Sequence, residues 1–201
     1  MSHVRTFGMA RLLVLTLSVC LAGPAAVGAH PFTAYQRNDN TEPGLFQSIV
    51  LFFPIGQEFT VVQPCLEAVE LYTHDFNLNS SSGATLVVRI HQGTIFSPVV
   101  ATSSPVTLPD NFVGVTHFDF PTPVLLLPAL TYVIDVSVVS GDNWAVGSNV
   151  TSSLPDIPFT PLTNESNSYL LGRQILLGMP QEGNDLWFRE GASDLLGCVA
   201  P

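Results

Sequence analysis

Thr85-Leu86-Val87-Val88-Arg89-Ile90-His91 alternates with a period of two: Leu86, Val88 and Ile90 point one way, and Val87, Arg89 and His91 the other. Residues 131–138 repeat the pattern, with Tyr132, Ile134, Val136 and Val138 on one face, opposite Val133, Asp135 and Ser137. In residues 66–73 the fit is looser, and Val69 and Leu71 are the expected inward pair. Further short β-rich runs fall at 45–53, 58–62, 99–103, 112–120, 144–148, 169–171 and 185–189. Turn chemistry separates them, at 77–83, 108–111, 121–123, 140–143 and 182–184. Helical periodicity is not sustained anywhere. Nine or ten short strands joined by turns predict an all-β, antiparallel, jelly-roll-like sandwich. It forms one domain over 45–201, preceded by an irregular polar arm at 30–44 and carrying a long surface loop at 149–168.

Composition narrows the function. The 201 residues hold six arginines, no lysine and sixteen carboxylates, for a net charge of −10. Phosphate neutralisation needs cations, so DNA, RNA and anionic membrane surfaces are poor partners. A chain that is 46% hydrophobic has enough apolar surface for a core, which excludes a disordered tail.

Residues 1–29 read as a secretory signal peptide. Arg5 and Arg11 form the basic region, residues 12–22 the apolar run, and Val27-Gly28-Ala29 the small-residue cleavage site before His30. The apolar run is shorter than the roughly 20 residues a membrane span needs. Lipidation at Cys20 is disfavoured by the bulk of Val19 before it. The expected location is extracellular or periplasmic, with nothing inserted in a membrane after cleavage. The mature chain keeps four arginines against sixteen carboxylates, so its charge is 4 − 16 = −12. It also keeps two cysteines, Cys65 and Cys198, and an even pair in an oxidising compartment predicts one disulfide. In the chain-entropy account, closing so long a loop contributes about 4–5 kcal/mol.

An ordered set of short motifs runs from Gly56-Gln57-Glu58-Phe59-Thr60 through Val69-Glu70-Leu71-Tyr72, Leu86 to Ile90, Ala101-Thr102-Ser103, Phe118-Asp119-Phe120 with Pro123-Val124, and Tyr132-Val133-Ile134. It ends at Asp185-Leu186-Trp187-Phe188-Arg189. In order and spacing this resembles secreted bacterial β-sandwich modules of jelly-roll or galactose-binding-like topology. The resemblance covers about residues 57–190 and implies a non-catalytic binding or structural role outside the cell. It transfers no ligand residue.

Candidate chemistry is sparse. For a glycan or other cell-surface ligand the candidates are Trp144, which follows Asp142-Asn143 at a turn, and Tyr169; sugars present flat C–H faces that stack on exposed rings beside polar acceptors. Trp187, between Leu186 and Phe188, is expected in the core. A structural or adhesive surface protein with no small-molecule site is the alternative. More remotely, a mature N-terminal His30 chelates copper with help from His74, His91 or His117. Asp119 and Asp135 sit inside strands, where they pair with Arg89 or Arg189 or border a structural calcium site. No G-x-S-x-G elbow or zinc-ligand spacing occurs, and no enzyme is expected. Asn79, Asn149 and Asn164 head N-x-[ST] sequons, all in expected loops.

Overall fold

A computed structural model describes residues 32–39, 42–76, 82–150 and 169–192. Among the described residues, fourteen strands, several only three or four residues long, make up two antiparallel sheets of seven. In sheet A, β1 (Thr33–Asn38), β14 (Phe188–Ala192), β4 (Cys65–Asp75), β10 (Trp144–Val150) and β13 (Asn184–Leu186) lie in that order; β2 (Leu45–Ser48) pairs with β10 and β8 (Val113–Leu125) with β4. Sheet B runs β12 (Met179–Gln181), β11 (Gln174–Leu176), β3 (Ile55–Thr60), β9 (Thr131–Gly141), β5 (Ala84–Gln92) and β6 (Val99–Thr102), with β7 (Val106–Leu108) also on β5. The architecture is an all-β sandwich.

The period-two strands set the packing. Leu86, Val88 and Ile90 of β5 and Ile134 and Val136 of β9 are wholly buried, and face Val69, Leu71, Phe118, Trp144 and Phe188 of sheet A in one continuous core. Burying each such side chain contributes about 1.5–3 kcal/mol. On the opposite face of sheet B, Val133 joins Ile95 and Ile175 in a small second cluster.

Five expectations are corrected. Residues 33–38 of the polar arm are not irregular: they form edge strand β1 on β14. Gly191 makes this approach possible, because a Cβ there would strike the Thr33 carbonyl. The Pro121-Thr122-Pro123 segment is not a turn but lies inside β8, in the bulge between the Asp119–Ala68 and Val124–Leu66 pairs, so neither proline costs a ladder bond. Tyr169 to Leu171 form no strand, and the closing run divides at Trp187 into β13 and β14. Trp144 is not an exposed platform: it is 0% exposed, with its ring stacked on Phe112 at 6.2 Å between centroids. Its position as first residue of β10 places it on the same face as Val146, toward the other sheet.

Trp144→Ala is therefore expected to cost about 3–5 kcal/mol of folding stability, read by urea denaturation. A loss below about 1 kcal/mol would contradict its place in the core.

Candidate functional site

The outer face of sheet A gathers the most functional groups. Because Val69, Leu71 and Thr73 of β4 point inward, Glu70, Tyr72 and His74 stand on the outside. Cross-strand pairing sets Glu70 beside both His117 of β8 and Arg189 of β14. Glu70 Oε1 lies 3.1 Å from His117 Nδ1, and Arg189 Nη1 donates to Glu70 Oε2 at 3.0 Å. The row continues at both ends: Arg189 Nε donates to Asp39 at 2.5 Å, and His117 Nε2 lies 2.9 Å from Asp119. Next to this charged row is an aromatic strip. Phe46 of β2 lies 5.9 Å from Tyr72 and 4.8 Å from His74, and Tyr72 meets Trp187 edge-on at 5.7 Å. The Arg189 guanidinium sits 4.9 Å above the Trp187 ring and joins the two halves. Trp187 is thus outside the main core, yet its neighbours leave it only 4% exposed. Phe32 packs edge-on to His117 at 5.3 Å and, with Ala68, Asp119, Phe120 and Pro123, rims a shallow depression.

The charges are mutually fixed. A carboxylate only accepts, so both His117 nitrogens carry protons. The Glu70 hydrogen bond raises the imidazole pKa above its ordinary value against the opposing effect of burial, and Asp119 adds to the rise. Burial pushes the Glu70 carboxyl up, but the hydrogen bonds and charges of His117 and Arg189 outweigh it and hold its pKa low. An imidazolium with both nitrogens occupied has no lone pair for copper.

A second group of polar residues ties the sheets together from within. Gln57 of β3, 0% exposed, donates to Asp185 Oδ1 of β13 at 2.8 Å and accepts from the Leu186 amide at 2.7 Å. The Tyr169 amide donates to Asp185 Oδ2 at 2.9 Å, and the Tyr169 hydroxyl donates to Gln36 of β1. Gln174 of β11 donates to Ser148 of β10 at 2.7 Å. Burial raises Asp185 to about 6 despite hydrogen bonds from Gln57 and Tyr169, and raises Glu190 of β14 to about 8 despite Gln36. Burial also pushes the Tyr169 hydroxyl well above its usual range. Tyr169 is consequently a strut between elements, its ring edge-on to Phe188 at 5.1 Å, rather than an open stacking surface.

The other sequence-predicted residues scatter. Asp142 and Asn143 are half-buried in the β9–β10 turn, where the Asn143 amide donates to Asp142 and the Asn143 side chain accepts from Ser48. Asp135 lies on the outside of sheet B, buried, 3.8 Å from Arg89 and 3.4 Å from His91. His91 Nδ1 donates to the Ser97 carbonyl at 2.6 Å. Among the described residues, no three His, Cys, Asp or Glu side chains converge as metal ligands. Cys65 is buried at the head of β4. Asn149 is in β10 rather than a loop, and buried. His30, Cys198, Asn79, Asn164 and residues 151–168 lie outside the described residues. Glu70, Tyr72, Gln57, Asp185 and Glu190 were not singled out from sequence as site residues. Only the outward phase of Glu70 and Tyr72 in β4 was available as a signal.

In comparisons with known proteins, no protein-family model matches the chain, and no curated protein is significantly similar in sequence.

The buried carboxyls have a measurable consequence. Glu190 keeps its proton to about pH 8 when folded but only to about 4.5 when unfolded, so its contribution to stability is full below 4.5 and is lost as pH rises toward 8. The stability gained by Glu190→Gln over wild type should grow from pH 5 to 8 and then level off, in denaturation curves taken across that range. A difference constant with pH would contradict the assignment.

Proposed function

We propose that the chain is a secreted, non-catalytic binding module that takes a glycan on the outer face of sheet A. The observation that carries this reading is the aromatic strip of Phe46 and Tyr72 lying against the ion-paired row Asp39, Arg189, Glu70, His117 and Asp119. A sugar ring offers an apolar C–H face to a ring such as Tyr72, and its hydroxyls find acceptors and donors in the adjoining row. Side chains already held by ion pairs lose little freedom on binding. The half-exposed rings of Phe46 and Tyr72 lie on the sheet face, which suits a glycan better than a small enclosed metabolite. This face takes the role expected of Trp144, Asp142, Asn143 and Tyr169.

The leader-like residues 1–29 support secretion to an extracellular or periplasmic space. A Cys65–Cys198 disulfide belongs to the same proposal. β14 runs antiparallel to β4, with Gly191 paired to Ala68, so the chain leaves Ala192 travelling toward the Cys65 end of β4.

The test is retention of residues 30–201 on a panel of soluble and insoluble polysaccharides. Saturable retention on at least one glycan is expected. It should weaken about tenfold or more in Tyr72→Ala and also fall in Glu70→Gln, with melting curves confirming that both variants fold. Trp144→Phe should bind as wild type does. Retention on none of the panel, or retention indifferent to Tyr72 and Glu70, would overturn the reading in favour of a structural surface module.

A further inference from the structure

Of the five charged side chains in the outer-face row, His117 alone changes charge near neutral pH. Both of its ring nitrogens face a carboxylate oxygen: Nδ1 stands 3.1 Å from Glu70 Oε1, and Nε2 2.9 Å from Asp119 Oδ1. An imidazolium donates to both. A neutral imidazole has one N–H and one lone pair, so one carboxylate must lose its donor and face the lone pair instead. The two carboxylates are not equally fixed. The Glu70 side chain is 14% exposed and also accepts from Arg189 of β14 at 3.0 Å. The Asp119 side chain is 61% exposed and can turn toward water. Phe32 packs edge-on to the imidazole at 5.3 Å and keeps the ring in place. The last N–H therefore stays on Nδ1 with Glu70, and Asp119 is the group released. The charged groups around the ring are Glu70 and Glu67 of β4, Asp119 of β8 and, across Glu70, Arg189 of β14. The hydrogen bond of Glu70 foremost, then that of Asp119, holds the imidazole pKa above its ordinary 6.5 against the effect of burial.

We propose that His117 is a proton-operated latch on this face: it holds Asp119 in place for a glycan in acidic surroundings, and releases both Asp119 and the glycan as the pH rises. The latch rests on the glycan-binding reading of the face. With Nε2 protonated, Asp119 is held at the rim of the depression it shares with Phe32, Ala68 and Pro123. A ligand hydroxyl then meets an acceptor that needs no further ordering. With Nε2 bare, Asp119 leaves that position and the row gains a negative charge. Because the ring's pKa is raised in the folded chain, its two hydrogen bonds are fully present below pH 6.5 and are lost as the pH rises through the folded value. Linkage requires the converse: a glycan that favours the protonated ring raises the pH at which that ring titrates. Glu190, beside Arg189 in β14, also titrates in this region, near 8, but it is buried and paired with Val69 on the inward side of the sheet. Substitutions separate the two groups.

The experiment measures retention of residues 30–201 on cellulose, chitin, xylan and starch from pH 5 to 9, with melting curves at each pH, beside NMR titration of the imidazole nitrogens with and without the retained glycan. Retention should weaken by about tenfold between pH 6 and 9. The His117 ring should titrate above pH 6.5, keep its last proton on Nδ1, and titrate higher still with glycan bound. In His117→Gln a single amide group cannot donate to both carboxylates at any pH, so retention should be weak and flat. In Asp119→Asn the new amide donates to the bare Nε2, so the latch stays closed and retention should change little with pH. Retention equal at pH 6 and 9 in wild type would overturn the latch while leaving the glycan reading standing. So would a ring that titrates below 6.5, or a fall that persists in His117→Gln, which would assign the effect to another group such as Glu190. No retention on any of the four polysaccharides at any pH would overturn the glycan reading and the latch together.

Discussion

The amide of Gln57 is the point on which the arrangement of the two sheets turns. It is shut off from solvent, so its donor and its acceptor must both be satisfied within the protein, and both partners lie across the sandwich, on Asp185 and the Leu186 amide. Removing either side leaves a buried polar group unpaired, at about 1–3 kcal/mol. Apolar packing between sheets is non-directional and tolerates sliding; a two-point amide clamp does not. It fixes β13 against β3, and β13 leads through Trp187 directly into β14. Arg189, the residue that joins the aromatic and charged halves of the outer face, takes its position from that turn of chain.

The two surfaces of sheet A thus answer to different physics. Inside, alternating side chains pack against sheet B, and the buried Gln57–Asp185 and Gln174–Ser148 hydrogen bonds join the two sheets. Outside, side chains from β2, β4, β8 and β14 and the Trp187 link come together by cross-strand adjacency into one row of fixed charges beside one strip of rings. The same strand, β4, supplies both, by changing sides at each residue.

Most of the fold was legible in the sequence for that reason. The alternation in residues 85–91 and 131–138 named the inward residues of β5 and β9, and Val69 and Leu71 were rightly taken as the inward pair of β4. Period two is a local signal. What it cannot report is pairing. Residues 33–38 looked irregular because nothing local distinguishes an edge strand that depends on Gly191 of a distant partner. Pro121 and Pro123 looked like a turn because their tolerance depends on a bulge in β8, set by its register on β4. Trp144 looked exposed because it follows a polar turn, yet it opens β10 in the inward phase. The candidate site was legible least of all. Glu70, His117 and Arg189 share no spacing motif, and only the register of three strands makes them neighbours.

Amide hydrogen exchange in Gln57→Leu, compared with wild type, tests this account most directly. If the clamp positions β13 and β14, amides from Leu186 to Glu190 should lose protection by about tenfold or more, while those of Ile90 and Ile134 in the central strands of sheet B lose much less. Unchanged protection over β13 and β14, or an equal loss in both regions, would contradict it.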